Sequence, residues 1–433
     1  MTDVKGLKGF YDRYPDEFAS WRKLIETVEE AAREFGFNEI GTPSVERADL
    51  YRVKSGEELM EQMYSFDDKG GREISLIPEQ TPTRARMVQS RKDLKSPVKW
   101  FDTSKRWRYE NVQKGRDREF FQTDIDIFGV ESVEADAEVI ACAARIYRKL
   151  DLENRVEFLI NNRQLLESIL DVYGIDQKEA AMKVIDDKEK MTREEFIEEL
   201  REEADLPKSQ ARQVDELTDI SGPIQETVEE LRDKVPADSH EAVDRMEELA
   251  DMLEAYGVED MCRLDLSIVR GLAYYTGLVF EAFDSEGELR ALFGGGRYDT
   301  LVGLFGSREV PAVGFAFGYS TTIELLRKEG RWPLAESETD VYVLSASRSV
   351  YESALGFARE LRQQDLSVET DIAGRSFGSQ LEYADSINAK RVLIVGERDL
   401  DNDEVTIKHM DSGDEEKVDR DKVVEHFRSE DLI

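Results

Sequence analysis

The sequence contains little cysteine and no long apolar run. Its two cysteines, Cys142 and Cys262, lie far apart and give neither a disulfide framework nor a metal-ligand spacing. We expect both to be buried, reduced thiols. No stretch of about 18 apolar residues could span a bilayer, and MTDVKGLKGFYDRYPDE lacks the apolar centre of a signal peptide. These absences predict a cytoplasmic protein without a membrane partner.

Positive charge is scarce as well. The 433 residues include 95 Asp or Glu and 59 Lys or Arg, a formal net charge of −36. Such a balance disfavours nucleic acid, because phosphates repel acidic surfaces. The acids are spread through every region, which indicates adaptation to high salt rather than an acidic tail. Residues 84–118, the basic segment, nevertheless hold 12 Lys or Arg against 4 Asp or Glu, and this exception predicts an anionic ligand.

The apolar pattern predicts a sheet domain in the first part of a chain long enough for about two or three domains. Helical periodicity predicts helices at Asp16–Phe35, Pro82–Gln89 and about Glu134–Leu150. The segments VKWFDTSKRWRYE and FFQTDIDIFG read as strands, and the charged NVQKGRDRE between them predicts a hairpin. Another strand is predicted at Val156–Asn161. Strands facing each other across such a loop imply an antiparallel sheet.

Two further regions differ in texture. Residues 165–257 are helical runs rich in acids, such as MEELADMLEAYG, and predict a helical insertion that splits the sheet domain into residues 1–164 and 258–335. In residues 336–433, the strand-like VYVLSA, SVETDI and RVLIVGE alternate with helix-like segments, and EVTIKHM adds another strand. That order predicts an α/β domain with a largely parallel sheet. The predicted fold class is therefore α+β, with a C-terminal α/β domain.

One segment combines charge with strand-forming residues. SIVRGLAYYTGLVFEAF, residues 267–283, predicts a strand buried on both faces. An arginine in such a run needs an anionic partner, so Arg270 is predicted to face either a ligand or a buried carboxylate.

In chain order, LIPEQT, RWRYENVQKGRDREFFQTDIDIFG, VRGLAYYTGLVFEAF, GGGRYDTL and VGFAFG resemble the histidyl-tRNA synthetases, a class II aminoacyl-tRNA synthetase family, in an archaeal, halophilic form. The resemblance covers nearly the whole chain and is weakest in the helical insertion. It implies a class II antiparallel-sheet catalytic domain and a C-terminal anticodon-binding domain. It also implies that ATP activates histidine to histidyl-adenylate, which then passes the histidyl group to the 3′ end of tRNA(His).

The resemblance assigns most of the ATP contacts to the basic segment. Arg108 matches an arginine that binds the α-phosphate and the substrate carboxylate region, and Glu110 matches the position beside the adenine amino group. Arg116 and Arg118 match arginines that meet the outer phosphates. A planar guanidinium can hold two phosphate oxygens at once, which suits arginine to these positions.

Two further arginines complete the implied nucleotide site. Arg270 matches the catalytic arginine that neutralises charge at the α-phosphate, and Arg297 in GGGRYD is expected beside the adenylate. No metal-ligand cluster is evident in the sequence, so Mg²⁺ would be held mainly by the phosphates.

Histidine recognition is implied by a second set of positions. Those matching contacts to the imidazole or the α-ammonium group are Glu79, Thr81, Gln122, Asp126, Tyr274 and Tyr275. A carboxylate that accepts one ring N–H and a hydroxyl that meets the other nitrogen would read both nitrogens. Apolar amino acids would leave these groups unpaired, which gives specificity without editing.

The sequence also departs from the family pattern. Ala273, Ile77 and Gln80 replace residues that the family often has, and Thr321 stands where class II motif 3 usually ends with an arginine. Two non-catalytic alternatives therefore stay open: a regulatory subunit of histidine biosynthesis, or a sensor of uncharged tRNA. The regulatory subunit typically lacks the C-terminal domain, which this chain has, whereas Thr321 slightly favours the sensor.

The resemblance implies partners beyond the small substrates. Pro43 matches the motif 1 proline of the family's dimer interface, which implies a homodimer. In the C-terminal domain, Arg375, Gln380 and Tyr383 are candidates for contact with tRNA.

Overall fold

The structure is a computed structural model that describes residues 5–53, 57–235, 237–269, 275–335 and 339–429. The chain divides into two units, one made of Met1–Asp12 and Leu24–Trp332 and the other of Arg13–Lys23 and Pro333–Ile433. The boundaries proposed above for the helical insertion and the C-terminal domain stay predictions. Within the described ranges, no helix is both long and apolar enough to cross a membrane.

Helices and strands are numbered in chain order. The helices are α1 (Pro15–Glu34), α2 (Asp49–Arg52), α3 (Glu57–Gln62), α4 (Thr81–Ser90), α5 (Val133–Lys149), α6 (Arg163–Val172), α7 (Lys178–Asp186), α8 (Arg193–Glu203), α9 (Lys208–Thr218), α10 (Ile224–Lys234), α11 (His240–Ala255), α12 (Tyr319–Lys328), α13 (Tyr351–Arg362), α14 (Phe377–Ser386), α15 (Glu397–Asp401) and α16 (Val423–Ser429). The strands are β1 (Asn38–Glu39), β2 (Val45–Arg47), β3 (Ser65–Asp67), β4 (Glu73–Leu76), β5 (Val98–Trp107), β6 (Glu119–Phe128), β7 (Val156–Asn162), β8 (Ser221–Pro223), β9 (Cys262–Asp265), β10 (Leu278–Asp284), β11 (Phe293–Arg297), β12 (Ala312–Gly318), β13 (Val341–Ser345), β14 (Val368–Thr370), β15 (Arg391–Val395), β16 (Glu404–His409) and β17 (Glu415–Asp419).

The first unit is built on a nine-stranded sheet in the order β1-β5-β6-β12-β11-β10-β7-β9-β8. Its six central strands, β5, β6, β12, β11, β10 and β7, each pair antiparallel with their neighbours in this group. At the edges, β1 pairs parallel with β5, β9 pairs parallel with β7, and β8 pairs antiparallel with β9. The predicted hairpin is confirmed as β5 and β6, paired from Val98↔Phe128 to Trp107↔Glu119. A separate sheet of three short strands, β2-β4-β3, belongs to the same unit.

One face of the large sheet is apolar and covered by α5. Residues of adjacent strands that pair directly share a face, so Ile125, Phe315 and Phe280 point the same way. Tyr147 of α5 stacks on Phe293 with ring centroids 6.1 Å apart and planes 6° from parallel. Burial of these rings drives α5 onto the sheet and leaves the opposite face available for polar groups.

The region predicted as a helical insertion contains helices α7 to α11, and α6 begins directly after β7. Asn162 closes that strand and caps α6, since its side-chain oxygen accepts from the N–H groups of Gln164 and Leu165. Further along, Thr192 and Glu195 form a reciprocal capping box at the start of α8. The predicted insertion is not wholly helical, because β8 pairs with β9 at the edge of the large sheet.

The second unit is the predicted α/β domain. Its sheet runs β14-β13-β15-β16-β17, with β14, β13 and β15 parallel and β16 and β17 antiparallel. Helix α13 buries Phe357 and Leu361 in a cluster with Val343 and Leu393. The βαβαβ order read from the sequence is therefore confirmed, and EVTIKHM is confirmed as β16.

The prediction of one strand across residues 267–283 is wrong. Strand β9 ends at Asp265, whose carboxylate accepts from the backbone N–H of Ser267 at 2.9 Å and turns the chain. Strand β10 begins only at Leu278. The sequence pattern did not reveal this break because both flanking segments are rich in strand-forming residues.

Candidate functional site

The polar face of the large sheet forms the floor of a cleft of about 350 Å³. Strand β6 contributes Gln122, Asp124 and Asp126, which share one face because side chains alternate along a strand. The residues paired with them on β12 are small: Gly318 opposite Gln122, Ala316 opposite Asp124 and Gly314 opposite Asp126. A row of polar groups beside a row without bulky side chains leaves space for a ligand.

Gly314 is required by this packing. A Cβ atom built there would lie 2.5 Å from the carbonyl oxygen of Ile125 and closer still to the carboxylate of Asp126. Neither group can move freely, since one is strand backbone and the other is 3% exposed. The glycine therefore allows the Asp126 carboxylate to lie against the neighbouring strand.

The structure brings together most of the predicted histidine contacts. Those that line the cleft are Glu79, Thr81, Gln122, Asp126 and Tyr275. Glu79 and Thr81 precede and begin α4, whereas Gln122 and Asp126 lie on β6. Arg270 and Tyr274 fall outside the described residues.

A buried charge network adjoins this floor on the same face of the sheet. Arg84 of α4 has no solvent exposure and forms ion pairs with Asp102 at 3.0 Å, Asp124 at 3.1 Å and also Asp126. Arg106, equally buried, pairs with Asp124 and lies 3.6 Å from Asp102. Burial lowers the pKa of Arg106 to about 10, which still leaves it protonated at neutral pH. Two guanidinium groups thus compensate three carboxylates.

Tyr298 links this network to the cleft. Its hydroxyl donates to Asp126, and its side chain also lines the cleft. Sequence reasoning identified Asp126 but missed both Tyr298 and Arg84. Their signals were present only as an aromatic residue inside GGGRYD and one arginine within the basic segment.

A smaller side cavity of about 140 Å³ adjoins the cleft and shares Arg108, Arg116, Gln122 and Gly318 with it. Arg108 follows β5, donates from Nε to the Pro78 carbonyl at 3.0 Å and lies 5.5 Å from the Phe120 ring. Arg116 pairs with Glu110 at 2.5 Å. Three of the predicted ATP contacts, Arg108, Glu110 and Arg116, therefore line one cavity.

The other two predicted ATP contacts are not brought to the cleft or the side cavity. Arg118 lies over the Tyr109 ring, 4.0 Å from its centroid, and donates to the Glu110 carbonyl at 3.1 Å. Arg297 is 2% exposed and is held by Asp136 at 2.6 Å and Asp299 at 3.1 Å. These contacts give Arg297 a structural role between the sheet and α5.

The basic segment serves the fold as much as any ligand. Arg84 and Arg106 are fully buried in ion pairs, and Lys105 pairs with Glu119 at 2.7 Å. The prediction that the segment as a whole faces an anion therefore does not hold for Arg106. Among its arginines, Arg108 and Arg116 line the cleft and the side cavity.

Thr321 and an unpredicted arginine also border the side cavity. Thr321 lies in the first turn of α12 and donates from Oγ1 to the Leu292 carbonyl at 3.1 Å. Arg290, in the loop before β11, lines the same cavity. The sequence carried no signal for Arg290, because it stands alone in a loop far along the chain from the basic segment.

In the second unit, the three candidates for RNA contact have different environments. Gln380 is 3% exposed and donates to the carbonyls of Ser345 and Arg375, both at 3.1 Å, so it supports the fold. Arg375 lies 4.0 Å from the Tyr383 ring and pairs with Asp371 at 3.0 Å. Of the three candidates, Arg375 and Tyr383 are partly exposed, so they could offer a cation and an aromatic ring to RNA, whereas Gln380 is buried.

Both cysteines are free and buried, as predicted. Burial raises the pKa of each thiol far above its ordinary value. Neither cysteine lines the cleft or the side cavity.

Comparison with known proteins gives consistent relatives across the chain. Residues 9–321 match the family model described as Histidyl-tRNA synthetase, and residues 340–430 match the model described as Anticodon binding domain. A histidine–tRNA ligase of Natronomonas pharaonis is 46% identical over 425 residues, with 95% of each chain covered. One from Haloarcula marismortui is 44% identical over 417 residues, again with 95% of each covered.

A solved structure shows the same fold. The histidyl-tRNA synthetase of a Nostoc species superposes with a TM-score of 0.86 at 24% identity, covering 99% of this chain and 100% of that one. The family model covers more than half of the chain, and the two halophilic relatives cover nearly all of it. The chain therefore belongs to the histidyl-tRNA synthetase family.

Proposed function

We infer that this chain is a histidine–tRNA ligase. The observation that carries the inference is one connected site, in which carboxylate and amide groups line the cleft and arginines line the adjoining side cavity. Relatives named histidine–tRNA ligase over 95% of the chain support it, as does the match to an anticodon-binding model. A cleft that offers acceptors at one end and cations at the other suits an amino acid and a nucleoside triphosphate.

Two group transfers make up the proposed reaction. A carboxylate oxygen of histidine attacks the α-phosphorus of ATP, forming the acyl phosphate bond of histidyl-adenylate as the bond to pyrophosphate breaks. A terminal hydroxyl of tRNA(His) then attacks the histidyl carbonyl carbon, and AMP leaves as the ester forms. Negative charge develops at phosphate oxygens in the first step, so fixed guanidinium groups stabilise it.

Arg108 is proposed to act in that first step. It borders both the cleft and the side cavity, and its Nε–H is fixed on the Pro78 carbonyl. Arg270, outside the described residues, is proposed as the second catalytic arginine at the α-phosphate. Arg116 would meet the outer phosphates and Glu110 the adenine amino group, and the two side chains form an ion pair with each other.

Histidine recognition is proposed for the cleft floor. Asp126, which forms an ion pair with Arg84, is proposed to accept a ring N–H. Tyr275 and Tyr274 are proposed partners for the imidazole, and Glu79 with Gln122 would accept from the α-ammonium group. Thr81 completes the proposed ammonium contacts.

Magnesium would enter bound to the phosphates of ATP and neutralise part of their charge. The described part of the chain contains no group of three or more His, Cys, Asp or Glu side chains arranged to hold a metal ion. Glu110 and Asp117 border the side cavity and could bind waters of such an ion.

A homodimer and a cytoplasmic location complete the proposal. Pro43 is exposed beside β2, and the three-stranded sheet exposes Val45 by 36% and Phe66 by 49%. Apolar groups of this kind suit an interface with a second copy. ATP and tRNA, the proposed substrates, are cytoplasmic.

Histidine-dependent exchange of pyrophosphate into ATP tests the proposal. The parent protein should exchange, and Arg108→Ala should lower kcat/KM by about 10²–10³-fold, the usual loss when a charge-stabilising donor is removed. Arg270→Ala should abolish exchange altogether. The control is Arg327→Ala, which removes an exposed guanidinium on α12 that pairs with Glu324 at 2.7 Å and lines neither cavity.

Absence of exchange in the folded parent would contradict the ligase proposal. Retained binding of uncharged tRNA would then favour the sensor alternative. An Arg108→Ala variant as active as the Arg327→Ala control would remove the assigned role of Arg108.

A further inference from the structure

The side cavity has an electrostatic character unlike the rest of this acidic chain. Three arginines line it, Arg108, Arg116 and Arg290, together with two carboxylates, Glu110 and Asp117. The chain as a whole carries a formal charge of −36. Three arginines against two carboxylates therefore give this cavity of about 140 Å³ a formal excess of positive charge in a negative protein.

Arg290 belongs to a loop that is exposed but fixed. The loop joins β10 to β11, and Asp284 at its start accepts from the backbone N–H groups of Glu286 at 2.9 Å, Glu288 at 3.2 Å and Leu289 at 2.8 Å. At its end, the Leu292 N–H donates to the Ala282 carbonyl at 2.7 Å. The backbone that carries Arg290 is thus held on both sides.

Helix α12 contacts this loop directly. The Thr321 hydroxyl donates to the Leu292 carbonyl, two residues after Arg290, at 3.1 Å. Gly318 to Thr321 line the side cavity together with Arg290, so the contact ties the first turn of α12 to the loop within the lining of the cavity. The hydrogen bond therefore restrains movement of the loop away from α12.

We propose that Arg290 is a further nucleotide-binding arginine, which binds the phosphate chain of the nucleoside triphosphate together with Arg108, Arg116 and Arg270, and that Thr321 positions it. This rests on the proposed function and extends it, because it assigns to the ATP site a residue that the proposed function does not use. A triphosphate carries up to four negative charges, and each guanidinium group that binds it carries only one positive charge. Arg290 is exposed, so its side chain can turn toward a nucleotide without loss of core packing.

The test measures Michaelis constants for ATP and for histidine in the exchange reaction, with calorimetric titration of magnesium ATP and of pyrophosphate beside it. Arg290→Ala should raise the ATP constant at least about tenfold, the loss typical of a charge-assisted hydrogen bond. The histidine constant should change by less than about twofold, because a lost phosphate contact affects one substrate. The ATP constant of Arg290→Lys should lie between those of the parent and Arg290→Ala, since lysine keeps the positive charge but lacks the planar guanidinium that donates two hydrogen bonds at once.

The positioning role of Thr321 is tested in the same assays. Thr321→Val removes the hydroxyl at nearly constant volume and should raise the ATP constant in the same direction by a smaller factor. Thr321→Ser should restore the parent value. A purely structural role would move both constants together and would not distinguish Val from Ser. Arg327→Ala on the same helix serves as control and should match the parent.

These outcomes separate a failure of the Arg290 inference from a failure of the proposed function. A parent that exchanges, with an Arg290→Ala variant whose ATP constant is unchanged, overturns this inference and leaves the proposed function intact. A parent that does not exchange overturns the proposed function, and the titrations then decide the inference. Weaker binding of magnesium ATP and pyrophosphate by Arg290→Ala supports it; equal binding, or none by the parent, overturns it.

Discussion

At the scale of single residues, Arg84 supports the cleft although it does not line it. Arg84 is fully buried, and its guanidinium compensates Asp102, Asp124 and Asp126 together. Two of those carboxylates face the cleft. Arg84 therefore lets the floor carry acidic acceptors that would otherwise be too costly to desolvate.

Replacing Arg84 should affect both stability and histidine binding. Arg84→Met keeps most of the side-chain length but leaves the buried carboxylates undercompensated, and the free energy of unfolding should fall by about 3–5 kcal/mol. The Michaelis constant for histidine should rise more than that for ATP, because Asp126 loses its fixed partner. Urea titration and exchange kinetics measure the two effects.

Arg86 provides the matched control for that substitution. It lies two residues away on the same helix, pairs with Glu46 at 2.5 Å and is 39% exposed. Arg86→Met should cost no more than about 1 kcal/mol, as expected for an exposed pair. Equal losses for the two variants would show that burial of Arg84 contributes nothing special.

The resemblance to the family assigned Gln122 and Asp126 to the site, and the structure brings both to the cleft on the same face of β6. Sequence reasoning did not single out Arg84, Tyr298 and Arg290, which approach the site from a helix, a strand end and a loop far apart in sequence. Their roles depend on long-range packing, for which a single sequence has no local signal.

At the scale of elements, glycines decide how β11 and β12 pair. Gly296 pairs with Gly314, and Gly295 with Phe315. A Cβ atom on Gly295 would lie 2.6 Å from the Gly314 carbonyl oxygen. The GGG run lies in an interior strand of the sheet, where its lack of side chains lets neighbouring backbone approach.

A methyl group on the floor should block the cleft. Gly314→Ala places its Cβ against the Asp126 carboxylate, so the carboxylate or the strand must shift and histidine-dependent exchange should fall at least about a hundredfold, as misplacement of a reacting group does. The control is Gly356→Ala on α13, where a Cβ would meet nothing within 4 Å. That variant should be as active as the parent and slightly more stable. Normal exchange by Gly314→Ala would show that Asp126 needs no such room.

The sequence predicted elements better than their order in the sheet. The β5–β6 hairpin and helices α4 and α5 follow from local periodicity and turn residues, and all three are present. The insertion of β12 between β6 and β11, and the addition of β8 and β9 at one edge, do not follow. Those pairings join segments distant in sequence, whose register is set by packing across the sheet.

At the scale of the whole molecule, the excess of acids governs how RNA can bind. Lys and Arg side chains are largely engaged by carboxylates in the described part of the chain, as in the pairs of Arg52 with Glu73 and Lys417 with Asp399. Few Lys and Arg side chains are then available to bind RNA phosphates and displace their counterions. Association with tRNA should therefore rest on a few local contacts while salt screens the general repulsion.

The dependence of tRNA binding on salt should accordingly be shallow. Between moderate and high potassium chloride, the dissociation constant for tRNA(His) should rise by less than about tenfold, against the far steeper loss expected of a protein that makes many phosphate contacts. Fluorescence titration at several salt concentrations measures the slope, with a non-cognate tRNA as the control for non-specific binding. A steep loss would contradict a mechanism based on screening.

The reactivity of the two buried thiols can report local unfolding of the first unit. Cys142 on α5 and Cys262 on β9 are at most 1% exposed, and burial suppresses their thiolate forms. An alkylating reagent should consequently modify the native protein only at the rate at which these elements open, and the chain's C-terminal unit, which has no cysteine, stays silent. Mass spectrometry of the labelled peptides during a temperature ramp would then time the loss of each element, and saturating ATP with histidine should delay both signals.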